Sequence, residues 1–140
     1  MSSPVCIPES VSLAVHAMAK LAFEGEGSVK LWDLMVKPGS TDHLSKVMQK
    51  LSRAGMVRSR RGRGGGFTLA VDPEDIRLMD IWIALEGTFQ YSICPFAGKG
   101  CPLSRCLFGS IARDAAGIIG DYFSGTTVAD LGKMFAKDEE

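Results

Sequence analysis

The sequence predicts a mainly α fold with one small β-hairpin, and three observations carry that expectation. Apolar residues recur at helical spacing in several separate stretches, a glycine- and arginine-rich hexapeptide divides two short extended runs, and a segment broken by glycine and proline holds three of the four cysteines. At 140 residues and 46% hydrophobic content, the chain is long enough for one core that needs no disulfide.

Pro8 and Ser10 lead into Val11, Ala14, Val15, Met18, Leu21 and Ala22, the spacing of a first helix closed by Gly25 and Gly27. Val29 to Val36 predicts a short second helix with Leu31, Leu34 and Met35 inward, stopped by Pro38-Gly39. Ser40 or Thr41 can cap a third helix that buries Leu44, Val47, Met48 and Leu51 and turns Asp42, His43, Ser45, Lys46, Gln49, Lys50 and Arg53 outward. Ala54-Gly55 ends it.

Met56 to Arg60 and Phe67 to Ala70 read as two strands, joined by Arg61-Gly62-Arg63-Gly64-Gly65-Gly66 as a hairpin tip. Asp72-Pro73-Glu74 restarts helical structure, and Leu78, Ile81, Trp82 and Leu85 keep one apolar face until Gly87. The stretch from Tyr91 to Cys106 is interrupted at Pro95, Gly98, Gly100 and Pro102 and is expected to be a loop. Leu103, Leu107, Phe108, Ile111, Ala115, Ile118, Ile119, Tyr122 and Phe123 then trace a helix of roughly 20 residues, about 30 Å long. Thr127 caps a last short helix from Val128 to Phe135. Three helices followed by a basic hairpin describe a winged helix-turn-helix. The expected organisation is this unit over 1–87, a cysteine-bearing loop over 88–106, and the long and final helices over 107–140.

Basic and acidic residues number 16 each, so net charge says nothing about partners, whereas its distribution does. Leu44 to Arg63 carries seven basic residues and no acidic one, while Gly64 to Glu140 has six basic and eleven acidic. A helix presenting Ser45, Lys46, Gln49, Lys50 and Arg53 suits a DNA major groove, with hydrogen-bonding groups for base edges and cations for phosphates. The bland alternative is a solvated surface, but the basic hairpin follows at once, and DNA readers commonly join a groove helix to a second backbone contact. In the hairpin, Arg60, Arg61 and Arg63 flank glycines that allow close approach, and Arg61 is the best placed to enter a minor groove. The expected DNA-contacting set is Ser40, Thr41, Asp42, Ser45, Lys46, Gln49, Lys50, Arg60, Arg61 and Arg63.

The N-terminus lacks a basic start followed by an apolar run, and no apolar stretch approaches the roughly 18 residues of a membrane span, which points to a cytoplasmic protein without a membrane partner. Four cysteines in a reducing compartment favour metal binding, redox sensing or burial over disulfides. Cys94, Cys101 and Cys106, separated by six and four residues, place three thiolates in one irregular segment able to fold around an iron–sulphur cluster or a zinc ion. The absence of a close Cys-x2-Cys pair weakens the zinc-knuckle and ferredoxin patterns, and such a site needs an outside fourth ligand. Glu9 and His16 on the first helix are the candidates, while Cys6 reads equally as a loose terminal thiol. Taken alone, a helical histidine such as His16 is more often structural than ligating.

With those residues placed, the chain resembles the IscR and NsrR family of bacterial regulators, the Rrf2 family, from about Ser12 to Leu131. The most specific match combines Leu44 and Leu51, Ala54-Gly55-Met56-Val57-Arg58-Ser59, Arg61-Gly62, and Gly64-Gly65-Gly66-Phe67 with Leu69. Ala14-Val15 with Ala17-Met18, Leu85-Glu86-Gly87, and Thr127 to Leu131 add to it. The resemblance implies a homodimer paired through the long helix, which thereby becomes a dimerisation helix. It also implies two wings flanking a palindromic site on double-stranded DNA, repression rather than activation, and a cluster of the 4Fe–4S or 2Fe–2S type held by the three cysteines. It further implies a fourth ligand from helix one of the partner subunit. His16 stands where some members use a histidine, and Ser12 where others carry a ligating aspartate. No histidine follows Cys106, the cysteine spacing departs from the commoner even pattern, and the turn before Ser40 is one residue shorter.

The resulting expectation is a DNA-binding transcriptional regulator whose operator affinity follows a cluster that senses redox state, nitric oxide or iron status. A cluster-free regulator of the same fold, sensing through thiols or a small molecule, is the alternative. A small iron–sulphur electron carrier would have no use for a basic wing. No enzyme is expected: there is no nucleophile–base pairing, and Gly62 to Gly66 joins two strands with no helix after it, unlike a nucleotide-binding loop.

Overall fold

The fold was obtained as a computed structural model, which describes residues 5–90, 94, 96 and 99–139. Tyr91, Pro95 and Gly98, which enter the expected cysteine loop, lie outside the described residues. Helix α1 (Glu9–Glu24) is the axis of the core, burying Val11, Leu13, Ala14, Ala17, Met18, Ala19 and Leu21. That is wider than a single amphipathic stripe because other helices cover it on more than one side.

Val29 then pairs with Phe67, donating its N–H to the Phe67 carbonyl at 3.0 Å and accepting in return at 2.8 Å. Held extended at Val29 and again at Met35, the segment between has room for a single helical turn, Leu31–Leu34. The expected second helix is therefore reduced to that turn. Helix α2 (Thr41–Arg53) follows, with Leu44, Val47, Met48 and Leu51 buried as expected. Truncating Leu44, Met48 or Leu51 to alanine is a cost of about 2–5 kcal/mol each, the usual range for fully buried aliphatic side chains.

Strands β1 (Val57–Arg60) and β2 (Gly66–Leu69) form an antiparallel hairpin in the register Val57 to Leu69 and Arg60 to Gly66. Its tip turns through Gly62 and Gly64, both at positive φ, with the Gly65 N–H donating to the Gly62 carbonyl at 3.0 Å. A turn at Pro73–Asp75 precedes α3 (Leu78–Glu86), which buries Leu78, Ile81 and Leu85 and ends at Gly87. The break between them arises because Ile76 accepts a hydrogen bond from Val128 N–H at 2.8 Å while Leu78 N–H donates to Thr126 at 3.0 Å.

The long helix is shorter than its apolar pattern suggests. Helix α4 spans Ile111–Gly125, 15 residues, because Gly109 takes φ 65° in a turn closed by its N–H to the Cys106 carbonyl at 3.1 Å. Leu103, Leu107 and Phe108 thus precede the helix. Trp82 of α3 sits edge-on to Phe123 of α4 and to Phe89, with centroids 5.7 and 5.1 Å away. Helix α5 (Val128–Glu139) runs past the expected end at Phe135 and packs along α1. Gly132 permits this approach, since a Cβ there would come within 2.9 Å of the Ala22 Cβ, and the Phe23 and Phe135 rings meet at 5.2 Å. The result is the expected mainly helical winged helix-turn-helix, with the hairpin as wing. Among the described residues no helix is long and apolar enough to cross a membrane.

Candidate nucleic-acid interface and thiol cavity

Helix α2 is set at its start by Ser40, whose Oγ accepts the His43 N–H at 3.1 Å and satisfies a donor that the first turn leaves without a partner. Because Leu44, Val47, Met48 and Leu51 fix the inward face, Asp42, Lys46, Gln49, Lys50 and Arg53 are exposed along the opposite one. Ser40 is exposed beside them, and Thr41, His43 and Ser45 are half-buried at the flanks. Arg60, Arg61 and Arg63 are all exposed on the wing, as is Arg58. The arrangement offers a row of donors and cations on a rigid helix and a second cationic group on a narrow hairpin.

Wing and body are joined at one tight point. Gly66 at φ 142° has Val29 O only 2.5 Å from where a Cβ would stand, so the close approach of β2 to Val29 requires glycine. Nothing in the local pattern around Val29 signals this pairing, since a one-residue bridge has no periodicity. Lys30, next along, is exposed.

Cys94, Cys101 and Cys106 line a single cavity of about 330 Å³, shared with Phe96, Leu103, Leu107 and Phe108. Cys94 is half-buried, Cys101 and Cys106 are exposed, and none of the four cysteines forms a disulfide. Three thiols against an apolar wall are a donor set that suits iron–sulphur chemistry, where thiolates bind the iron and an apolar surround tunes its potential. Among the described residues, however, no three histidine, cysteine or acidic side chains converge closely enough to hold a metal ion. Cys6 is exposed and its thiol lies 3.8 Å from the carbonyl of Ile7.

The two helix-one candidates stand apart from that cavity. Glu9 and His16 line a separate one of about 160 Å³ with Ser12, Leu13 and the turn Val36 to Gly39. Glu9 Oε1 lies 3.4 Å from His43 Nδ1, and His16 Nδ1 lies 2.6 Å from the Ser12 carbonyl. A carbonyl only accepts, so this contact puts a ring proton on Nδ1 and leaves Nε2 of an exposed His16 outside it. The three cysteines thus line one cavity without converging as a ligand group among the described residues, and Glu9 and His16 stand beside the turn that enters α2.

Leu103, Leu107 and Phe108 are the residues whose place sequence spacing did not reveal: they wall the thiol cavity. The clue was available in Pro102 and Gly109, which bracket this apolar group between two helix breakers.

Residues 7–134 match the profile of a family described as Rrf2, iron-dependent transcriptional regulator. The HTH-type transcriptional regulator IscR of Aliivibrio salmonicida is 32% identical over 121 residues, covering 84% of this chain and 71% of that protein. Among solved structures, T. potens IscR aligns with a TM-score of 0.69 at 29% identity, over 97% of this chain and 89% of the other. The oxidized form of Staphylococcus aureus CymR aligns with a TM-score of 0.68 at 26% identity, over 91% and 96%.

Proposed function

We propose, from the premise that this chain belongs to the Rrf2 family of transcriptional regulators, that it is an operator-binding repressor whose affinity is set by an iron–sulphur cluster at Cys94, Cys101 and Cys106. As its relatives are, it is a transcriptional regulator and not an enzyme. Helix α2 reads the major groove through Ser45, Lys46, Gln49 and Lys50, with Ser40, Thr41 and Asp42 at its entry, and Arg60, Arg61 and Arg63 of the wing hold the adjacent minor groove and backbone. Its place of work is the cytoplasm, with the DNA.

The observation that supports the sensing half is the shared cavity: Cys94, Cys101 and Cys106 line one largely apolar space. A bound cluster of the 4Fe–4S or 2Fe–2S type supplies a centre sensitive to redox state, nitric oxide and iron supply. Cys94, Cys101 and Cys106 would supply its thiolates, and His16 of the opposite subunit the fourth donor, with Glu9 second. His16 is favoured because its ring is already oriented by the Ser12 carbonyl, the arrangement that commonly fixes a metal-binding imidazole. Glu9 is engaged with His43 instead.

A homodimer is supported by α4. Ile111, Ile118 and Tyr122 fall on one face and are 58%, 72% and 51% exposed, a row of large apolar side chains that a second copy of the helix would cover. Two wings related by a two-fold axis then meet a palindromic site. Control of DNA binding by the three-cysteine site would run through α4, and it requires two dimer states that make different DNA contacts.

The DNA half is tested with Arg61→Ala. Operator affinity is expected to fall and the salt dependence of binding to flatten by about one unit of slope, as for a lost cationic contact. Unchanged affinity and slope would remove the wing from the interface.

A second reading, a cluster-free thiol sensor of the same fold, draws on the lack of a converged ligand group among the described residues and on the likeness to an oxidized CymR.

A further inference from the structure

Trp32 is 71% exposed, although tryptophan offers one of the largest apolar surfaces of any side chain. It belongs neither to the thiol cavity nor to the apolar row on α4. Its one-turn helix points Leu34 into the core, 2% exposed, and leaves Trp32 on the outside.

The placement of Trp32 in the chain gives this exposure a meaning. Lys30 begins at the base of the wing: its backbone nitrogen is 3.1 Å from where a Cβ on Gly66 would stand, and Gly66 pairs with Arg60. Two residues later comes Trp32, and the turn through Gly39 then delivers the chain to Ser40, the cap of the groove-reading helix. Trp32 therefore lies on the span that joins the two DNA-contacting elements. Exposed Lys30 and Lys37 flank it, against a single acidic neighbour, Asp33. A duplex engaged by the wing in one groove and by α2 in the next would bring its sugar–phosphate strand near this span, as the first helix of a helix-turn-helix crosses the backbone.

We infer that Trp32 is a DNA-backbone contact, its indole face laid on a deoxyribose and its Nε1–H donating to a phosphate oxygen, with Lys30 beside it. The indole nitrogen is a donor only and the ring is apolar, which matches the alternation of sugar and phosphate along the strand. The contact reads no base, so it positions the duplex and contributes equally to any sequence. This inference rests on the DNA-binding reading above.

The chain has two tryptophans, so Trp82→Phe leaves Trp32 as the sole reporter. The probes are a labelled duplex from the protein's own promoter region and a random-sequence duplex of equal length. Binding is followed by anisotropy of the label, and Trp32 is followed by acrylamide quenching of its fluorescence. With duplex saturating, quenching is expected to fall at least about twofold, as an exposed side chain becomes covered. In the otherwise wild-type chain, Trp32→Ala is expected to weaken both duplexes by about fivefold, the weight of one uncharged contact, with the salt slope unchanged. Anisotropy that shows binding while Trp32 stays as quenchable as before would overturn the inference and leave the DNA-binding reading intact. Trp32 already shielded in the DNA-free protein would overturn it in favour of a protein contact. No binding of either duplex would overturn both. Should Trp82→Phe misfold, the Trp32→Ala affinities decide: a loss confined to the promoter duplex, or none, contradicts a backbone contact.

Discussion

Glu9 Oε1 lies 3.4 Å from Nδ1 of His43, a contact that joins the first turn of α1 to the first turn of α2. Gly39 makes the approach possible, because a Cβ there would come within 2.9 Å of Leu13 Cδ2. The entry of α2 is thus located by its Ser40 cap and by a side chain from the core helix.

Both partners are partly exposed, so the contact is worth no more than about 1 kcal/mol. Glu9→Ala is expected to weaken operator binding by no more than about fivefold in the wild-type background and to have no effect in a His43→Ala background. An anisotropy titration of the four proteins of this cycle checks it; equal losses in both backgrounds would mean that Glu9 acts elsewhere.

The wing should depend on glycine at one position far more than at its neighbour. Gly66→Ala places a Cβ 2.5 Å from the Val29 carbonyl at a φ of 142°. Strain of this kind costs about 1–3 kcal/mol, and the hairpin would swing away from Val29. Gly64 has φ 71° and open space around it, and asparagine tolerates that conformation. Gly66→Ala is therefore expected to lower both the thermal midpoint and operator affinity, and Gly64→Asn to leave the midpoint nearly unchanged. Similar midpoints for the two variants would contradict the pinning of β2 to Val29.

Helix α5 carries an acid-sensitive cap. Asp130 Oδ2 accepts the Thr127 N–H at 3.0 Å, and Thr127 Oγ1 accepts the Asp130 N–H at 3.2 Å. The backbone hydrogen bond from Thr127, then its side chain, hold the Asp130 carboxyl below the ordinary carboxylate range, with Lys133 adding to the effect. A carboxylate whose folded value is depressed stabilises the fold above its unfolded value, and that contribution is lost as the pH falls through the folded one. Asp130→Ala is thus expected to melt earlier than wild type at neutral pH, with the difference narrowing at strongly acid pH. A difference independent of pH, measured by circular dichroism, would assign the loss to packing instead.

The legible parts of the molecule were those with a local signature. Leu44, Val47, Met48 and Leu51 announce both faces of α2, and the arginines among the glycines from Arg61 to Gly66 announce the wing. Cys94, Cys101 and Cys106 line one cavity, with no converged ligand group among the described residues. Features that depend on distant partners were not legible. Helical spacing continues through Leu103, Leu107 and Phe108, yet with Gly109 at positive φ α4 starts only at Ile111, and those three residues line the cavity shared with the cysteines. The pairing of Val29 with Phe67, the seat of α5 on α1 at Gly132, and the contact of Glu9 with His43 are tertiary events that no window of sequence contains. For the last of these, sequence spacing offers Glu9 as a ligand, while its partner in the fold is His43 of α2.

The most direct test of cluster-controlled DNA binding is anisotropy with an operator duplex, using anaerobically purified protein before and after chelation of its iron, with iron and acid-labile sulfide assayed on the same samples. The expected result is a coloured protein with both elements, an operator affinity at least about tenfold different between the two forms, in the range of allosteric coupling, and loss of the cluster in His16→Ala but not in Glu9→Ala. A colourless protein without iron or sulfide that binds the operator equally before and after chelation would contradict it and leave the thiols of Cys94, Cys101 and Cys106 as the sensor.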